Sequence, residues 1–323
     1  MKKVIALLLA VGLSMAIIAG CSEKQKEDVT IRVAGLKGPT SMGMVGLMDA
    51  SDKGTSKNKY EFSIHGTADE VTPKLINGEL DVAAIPANLA SVLFNNTEGK
   101  IQVLAVNTLG VNYIVDMGDD VNTFADLKGK TIFASGKGSS PEYALRYLLT
   151  QNGIDPDNDV TIEFKSEASE VVALMAENQS GIAMLPQPYV FVAKATLPEL
   201  RVAIDMNQEW ANLDNGSLMI TGVVVARADF VKENPDAVKA FLEEYKTSTE
   251  YVNANPADAA VLIEKYDIFK AAIAEKAIPF CNITYIAGGE MKAAMEGYLN
   301  VLYNENPKAV GGKLPESGFY YGA

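Results

Sequence analysis

Histidine, tryptophan and cysteine are nearly missing from this chain, which has one, one and two of them. Each scarcity excludes a chemistry. A zinc centre draws on several imidazole or thiolate ligands, and His65 with so few thiols cannot supply them, so no metal is expected. A Ser-His-Asp triad would have to use His65, yet no G-x-S-x-G elbow accompanies it. The segment Ser135-Gly136-Lys137-Gly138-Ser139 lacks the Walker spacing G-x-x-x-x-G-K-[ST], which leaves nucleotide hydrolysis unsupported. Carboxylates are abundant, but abundance identifies no acid/base pair. No catalytic residue and no cofactor is expected, and the chain is not read as an enzyme. Arginine is also scarce: Arg32, Arg146, Arg201 and Arg227 are the only ones, and none falls in a predicted pocket loop where it could clamp a sulfonate or phosphate. Twenty-eight basic residues stand against 41 acidic ones, a net charge of −13 that disfavours nucleic acid and anionic headgroups as partners.

Long apolar runs are confined to the start. Met1-Lys2-Lys3 leads into the apolar stretch Val4 to Ala19, which is too short to span a bilayer comfortably and carries the basic flank of a secretory signal. Ile18-Ala19-Gly20-Cys21 follows, an aliphatic residue, two small ones and a cysteine, the pattern read by bacterial lipoprotein processing. Residues 1–20 are therefore expected to be a signal peptide, Cys21 the lipid attachment point, and 21–28 a lipidated tether, since seven polar residues from Ser22 to Asp28 cannot bury a face. The expected location is outside the cell membrane, anchored to its outer face, or to the periplasmic side in a Gram-negative host. Only Cys281 then remains in the mature chain, so packing rather than disulfides must hold the fold. At 48% hydrophobic residues the composition permits it.

Short β-branched runs alternate with helical periods through the first two-thirds. Strands are predicted at Val29 to Ala34, Tyr60 to His65, Asp81 to Ile85 and Ile101 to Asn107, then at Thr131 to Ala134, Val160 to Phe164, Gly181 to Leu185 and Leu200 to Ile204. Helices are predicted to start near Ser41, Ala68, Ala87, Pro141, Ala168 and Pro188 between them. This is an α/β pattern with a mostly parallel sheet. The two sets align at an offset of 100 residues: Ala34, Lys37 and Gly38 match Ala134, Lys137 and Gly138, and Ala68, Glu70, Val71, Ala83 and Pro86 match Ala168, Glu170, Val171, Ala183 and Pro186. The matches fall on loop glycines, helix starts and strand ends, which predicts two related lobes. A buried strand at Leu218 to Ala226 and a mainly helical remainder, broken at Asn234-Pro235 and Asn255-Pro256, return the chain to the first lobe. Residues 29–109 with 220–323 are expected to form lobe 1, and 110–219 lobe 2.

Ligands in open α/β sheets bind beyond the carboxyl ends of the strands. The candidate loops in lobe 1 contain Gly38, Pro39, Thr40 and Ser41, then His65 and Thr67, then Pro86 and Asn88. In lobe 2 they contain Lys137, Gly138, Ser139 and Ser140, then Ser166 and Glu167, then Gln187 and Tyr189. Asn107, Tyr113 and Thr221 stand beside the two crossings between lobes. Glycine lets backbone N–H groups approach a ligand, and the following helix adds partial positive charge, so these loops suit anionic or strongly polar groups. Lys37 and Lys137 occupy equivalent places in them, and Trp210 lies before the second crossing, where it could border the cleft. Ser140 ahead of Pro141 reads as a helix N-cap, and Thr67-Ala68-Asp69-Glu70 as a capping box.

With the lipid-attachment pattern, Lys37-Gly38-Pro39-Thr40, Asp126-Leu127-Lys128-Gly129-Lys130, Asn152-Gly153-Ile154-Asp155-Pro156 and Met184-Leu185-Pro186-Gln187-Pro188, the mature chain resembles the nitrate/sulfonate/taurine/thiamine-precursor class of ABC importer substrate-binding proteins. The resemblance implies a type II periplasmic-binding-protein fold, α/β with two lobes joined by two crossings. It implies a monomer that captures a small polar or anionic organic solute and delivers it to an ABC permease and ATPase complex, with the membrane reached through the lipid anchor. Ligand contacts carried over from the family fall on Gly38 to Ser41, the loop after Ile85, Gly138 to Ser140, and Gln187 with its neighbours. Pyrimidine-synthesising relatives use a cysteine-rich iron motif that this chain lacks. A ligand-sensing or surface interaction lipoprotein is the alternative.

Overall fold

The computed structural model describes residues 29–323; the expected signal peptide, Cys21 and the expected tether lie outside the described residues. The strands are β1 (Thr30–Leu36), β2 (Lys59–His65), β3 (Val82–Pro86), β4 (Ile101–Leu109), β5 (Asn112–Asp116), β6 (Thr131–Ser135), β7 (Thr161–Lys165), β8 (Ile182–Pro186), β9 (Arg201–Asp205), β10 (Ile220–Arg227) and β11 (Ile283–Ile286). The helices are α1 (Pro39–Met42), α2 (Val45–Asp52), α3 (Ala68–Ile76), α4 (Ala87–Asn96), α5 (Ser140–Gln151), α6 (Ala168–Asn178), α7 (Tyr189–Thr196), α8 (Met206–Asn212), α9 (Ala228–Glu233), α10 (Pro235–Ala254), α11 (Pro256–Lys265), α12 (Ala271–Ala277) and α13 (Gly288–Glu305).

Two sheets form, in the orders β11-β4-β10-β3-β1-β2 and β7-β6-β8-β5-β9. Reading the second backwards, β9-β5-β8-β6-β7 repeats β4-β10-β3-β1-β2 in position, and four of the five pairs, all but β5 with β10, are the 100-residue offset made visible. Sequence pattern accounts for the strand positions. β3 (VAAIP) and β8 (IAMLP) are buried almost throughout and read as unbroken apolar runs, because helices cover both faces. The edge strands β2 and β7 start with an alternation of exposed and half-buried positions, and carry Lys59, Glu61, Thr161 and Glu163 on the exposed ones.

The expectation of mostly parallel sheets needs correcting. β1 pairs in parallel with β2 and β3, and β6 with β7 and β8, but β10 runs antiparallel to β3 and β4, and β5 antiparallel to β8 and β9. The cause is the path of the chain. After Leu109 it crosses directly into the second sheet as β5, and after α8 it returns to the first as β10, so each sheet holds one strand inserted from the other side.

Three apolar cores fill the molecule. One packs the α2 and α10–α12 face of the first sheet and another the α6–α7 face of the second. The third is shared: it holds Ile85, Val106 and Val223 from the first sheet, Ile114, Ile132 and Met184 from the second, and Trp210 and Tyr298 between them. Trp210 lies in this core, 1% exposed, and not at the cleft. Its ring sits 4.8 Å from that of Tyr147 on α5 and 5.6 Å from that of Tyr298 on α13, and its Nε1 donates to Ser217 Oγ at 3.0 Å.

A buried polar knot completes the junction. Asn88 at the start of α4 donates through Nδ2 to the carbonyls of Gly138 at 3.3 Å and Ala309 at 3.1 Å, while Ser140 Oγ donates to Asn88 Oδ1 at 3.2 Å. Asn88→Ala would leave the buried Ala309 carbonyl without its donor and Ser140 Oγ without its acceptor, and is expected to lower unfolding stability by about 2–3 kcal/mol, read as a shift of the urea midpoint at unchanged slope.

Candidate functional site

The carboxyl ends of β1, β2, β3, β6, β7 and β8 face a common cleft of about 440 Å³, within the range that holds small organic ligands. Six helices, α1 and α3 to α7, begin at its walls, represented by Pro39, Thr67, Pro86, Ser139, Glu167 and Tyr189. Local sequence fixes these starts. Thr67 and Glu70 form the predicted capping box on α3. On α5 the N-cap is Ser139, one residue before the predicted Ser140, with proline at N1/N2. Helix dipoles thus converge on one space, where they favour negative charge, although the N–H groups of Thr67, Gly138 and Ser166 are taken by Glu70, Glu142 and Glu170 of the same helices.

Lysine strengthens that field. Lys37, Lys137 and Lys165 line the cleft, against Asp69 and Glu167. Lys137 has no ion-pair partner among the described residues, while Lys37 Nζ stands 3.7 Å from Asp267 Oδ2. None of the arginines is present: Arg32 and Arg227 pair with Asp81, Arg146 with Asp157 and Arg201 with Asp116. Leu36, Leu89, Val111 and Met184 give the apolar wall. Tyr189 lines it too, its ring 5.1 Å from Phe269 and edge-on to it; burial pushes its phenol pKa up, and the charge of Glu167 adds to the shift.

Of the residues expected at the site, Gly38, Pro39, Thr40, Thr67, Pro86, Lys137, Ser139, Tyr189 and Thr221 line the cleft. The others do not line it, and each is engaged by a bond inside the protein. Ser41 Oγ donates to the Leu36 carbonyl at 2.6 Å. His65 lies between Ser63 Oγ and Glu70, whose carboxyl it helps hold below the usual range. Asn88, Gly138 and Ser140 are the interlobe knot, and Asn107 Nδ2 donates to the Thr40 carbonyl at 3.1 Å. Tyr113 Oη donates to the Phe280 carbonyl at 3.3 Å. Gln187, 3% exposed, donates its backbone N–H to Val111 O at 3.0 Å. Only Ser41 and His65 turn to near neighbours in the chain; Asn88, Ser140, Asn107 and Tyr113 are spent on bonds between distant parts of the fold, and Gln187 Oε1 is buried without a partner.

Residues that sequence reasoning did not single out also line it: Asn112 and Lys165. Glu167, from the candidate loop after β7, lines it at the place that Thr67 holds in the other lobe. Gly222 shows how closely the walls fit, since a Cβ there would come within 2.5 Å of Thr40 Cγ2 and 2.7 Å of Asn107 Oδ1.

Residues 102–259 match the family model described as NMT1/THI5 like. A protein of Brucella abortus (strain 2308), named as a binding protein, is 27% identical over 209 residues, which is 62% of this chain and 63% of the relative. The match thus spans less than two thirds of that relative's length. Among solved structures, an ABC transporter protein of Parabacteroides distasonis superposes with a TM-score of 0.75 at 25% identity, covering 91% of this chain and 99% of that one. The periplasmic aliphatic sulphonate binding protein SsuA of Escherichia coli has the same fold, with a TM-score of 0.72 at 16% identity over 90% of this chain and 92% of its own.

Proposed function

Since the chain carries an NMT1/THI5-like domain within the fold of ABC-transporter periplasmic binding proteins, we propose that it captures a small anionic or strongly polar organic solute in the cleft between its two lobes and delivers it to a membrane permease driven by an ATPase. Export and lipid attachment at Cys21 would hold it at the membrane's outer face, where the permease can receive the solute. The lobes would be residues 29–109 with 220–323, and 110–219. The observation that carries the reading is the convergence of six helix starts and three lysines on one walled cleft. Such an arrangement binds charge through backbone N–H groups and dipoles already in place, without the cost of ordering long side chains.

The test is a thermal-shift screen of the mature protein against sulfonates, nitrate, thiamine precursors, nucleobases and aromatic acids. A ligand at one hundred times its Kd should stabilise the fold by about 2.7 kcal/mol. Lys37→Glu combined with Lys137→Glu is expected to weaken binding of the anionic hit by about tenfold or more, equivalent to about 1.4 kcal/mol, with the unfolding midpoint of the free protein little changed. A panel without any stabilising anion, or a hit whose affinity ignores the double substitution, would sink the reading.

A further inference from the structure

Two polar side chains at the cleft are left unmatched by the protein. Asn112, the first residue of β5, is 1% exposed and lines the cleft, yet its Nδ2 is buried without a partner. No described residue bonds its Oδ1 either. With neither end of the amide committed, a half-turn about Cβ–Cγ exchanges donor for acceptor without breaking a hydrogen bond.

Glu167 is the second. It occupies the N-cap of α6 but makes no capping hydrogen bond there, whereas Thr67 at the equivalent place in the other lobe completes a capping box. The neighbouring N–H of Ser166 goes to Glu170 Oε2 at 3.3 Å. Glu167 Oε2 accepts from Ser169 Oγ at 3.2 Å, while Oε1 has no hydrogen-bond partner among the described residues. Oε1 reaches out of its own lobe: a Cβ placed on Gly66, across the cleft, would lie 2.7 Å from it. Glycine at position 66 keeps that oxygen open. The other acidic lining residue, Asp69, is exposed and screened by water.

A cleft with helix N-termini and lysines on its walls, and one half-buried carboxylate oxygen left free, is complementary to a solute that carries both signs. We propose that Glu167 is a specificity-determining residue that selects an amino-substituted organic anion over its unsubstituted analogue, with the Asn112 amide adapting to the other end of the solute. This rests on the binding reading above and names the solute class.

Matched pairs in which an ammonium replaces a methyl group test it: aminomethanesulfonate against ethanesulfonate, β-alanine against butyrate, and aminomethylphosphonate against ethylphosphonate. Affinities are measured by calorimetry on wild type, Glu167→Gln and Gly66→Ala. In at least one pair the amino member should bind wild type about tenfold tighter or more, as expected of a charge-assisted hydrogen bond. Glu167→Gln should bring that ratio near one, and Gly66→Ala, which displaces the carboxylate but keeps its charge, should lower it. A wild-type ratio near one, or a ratio that survives Glu167→Gln, overturns the assignment and leaves the binding reading standing. Absence of binding by every member overturns the assignment and counts against the anion-binding reading itself.

Discussion

Trp210→Ala is expected to cost about 3–5 kcal/mol of unfolding stability and to lower the thermal midpoint by roughly 5–10 °C. The side chain is 1% exposed and packs between Tyr147 and Tyr298, so truncation leaves a cavity that two helices from different sheets cannot both move to fill. It also strips Ser217 Oγ of its donor. Trp210→Phe separates the two losses: the ring contact largely survives and the Nε1 bond does not, so about a third of the effect should remain. Differential scanning calorimetry of both variants checks this. Equal destabilisation by Phe and Ala would mean that the hydrogen bond, and not the packing, holds the junction.

The second large effect centres on Asp81. Its side chain is 3% exposed and accepts from Arg32 Nε at 2.9 Å, Arg32 Nη2 at 2.7 Å and Arg227 Nη2 at 3.1 Å, besides the backbone N–H of Arg32 at 3.0 Å. The network ties the ends of β1, β3 and β10 together. Burial alone would raise the carboxyl pKa, but the hydrogen bonds from Arg32 and Arg227, with the charge of Arg32, outweigh it and hold the group below the ordinary carboxylate range. Asp81→Asn is expected to cost about 2–3 kcal/mol at neutral pH, less than a wholly buried pair because Arg32 keeps 37% of its side-chain exposure. A depressed folded pKa means that the stabilisation is fully present above the unfolded value of about 3.9 and is lost as pH falls through the lower folded one. The gap between wild type and variant should therefore be constant from pH 7 to about 5 and narrow below about 4. Urea midpoints at several pH values check it; a gap that widens in acid would show that another group carries the effect.

Much of this fold can be read in the sequence because burial writes itself plainly into inner strands. β3, β8 and β10 are apolar runs, and the repeat places the loops of one lobe over those of the other. β5 was hidden: Asn112–Asp116 has no periodicity long enough to signal a strand, and its direction is set only by the pairing with β8 and β9. β11 is shorter still, four residues at the edge of the first sheet. The cleft could be predicted at the level of loops but not of individual side chains. Ser41, Asn88 and Ser140 have the chemistry of ligand contacts, yet they spend it on backbone and on each other. What sequence cannot display is which of two nearby acceptors a short side chain will reach. Glu167 is the opposite case, a residue whose loop the strand ends point to and whose side chain proves to face the other lobe.

The exchange of strands between the sheets also dictates an order of assembly. In the first sheet β3 and β4 are not neighbours; β10 separates and pairs with both. A chain emerging from its N-terminus therefore presents β1, β2 and β3 as one fragment and β4 as another, each with an open edge, until Ile220–Arg227 has followed. The second sheet has its inserted strand β5 in hand from the outset and can close locally. Synthesis runs from lobe 1 to lobe 2, but completion of the hydrogen-bond ladders runs the other way, and the unpaired edges of β3 and β4 are the exposed liability of the nascent molecule.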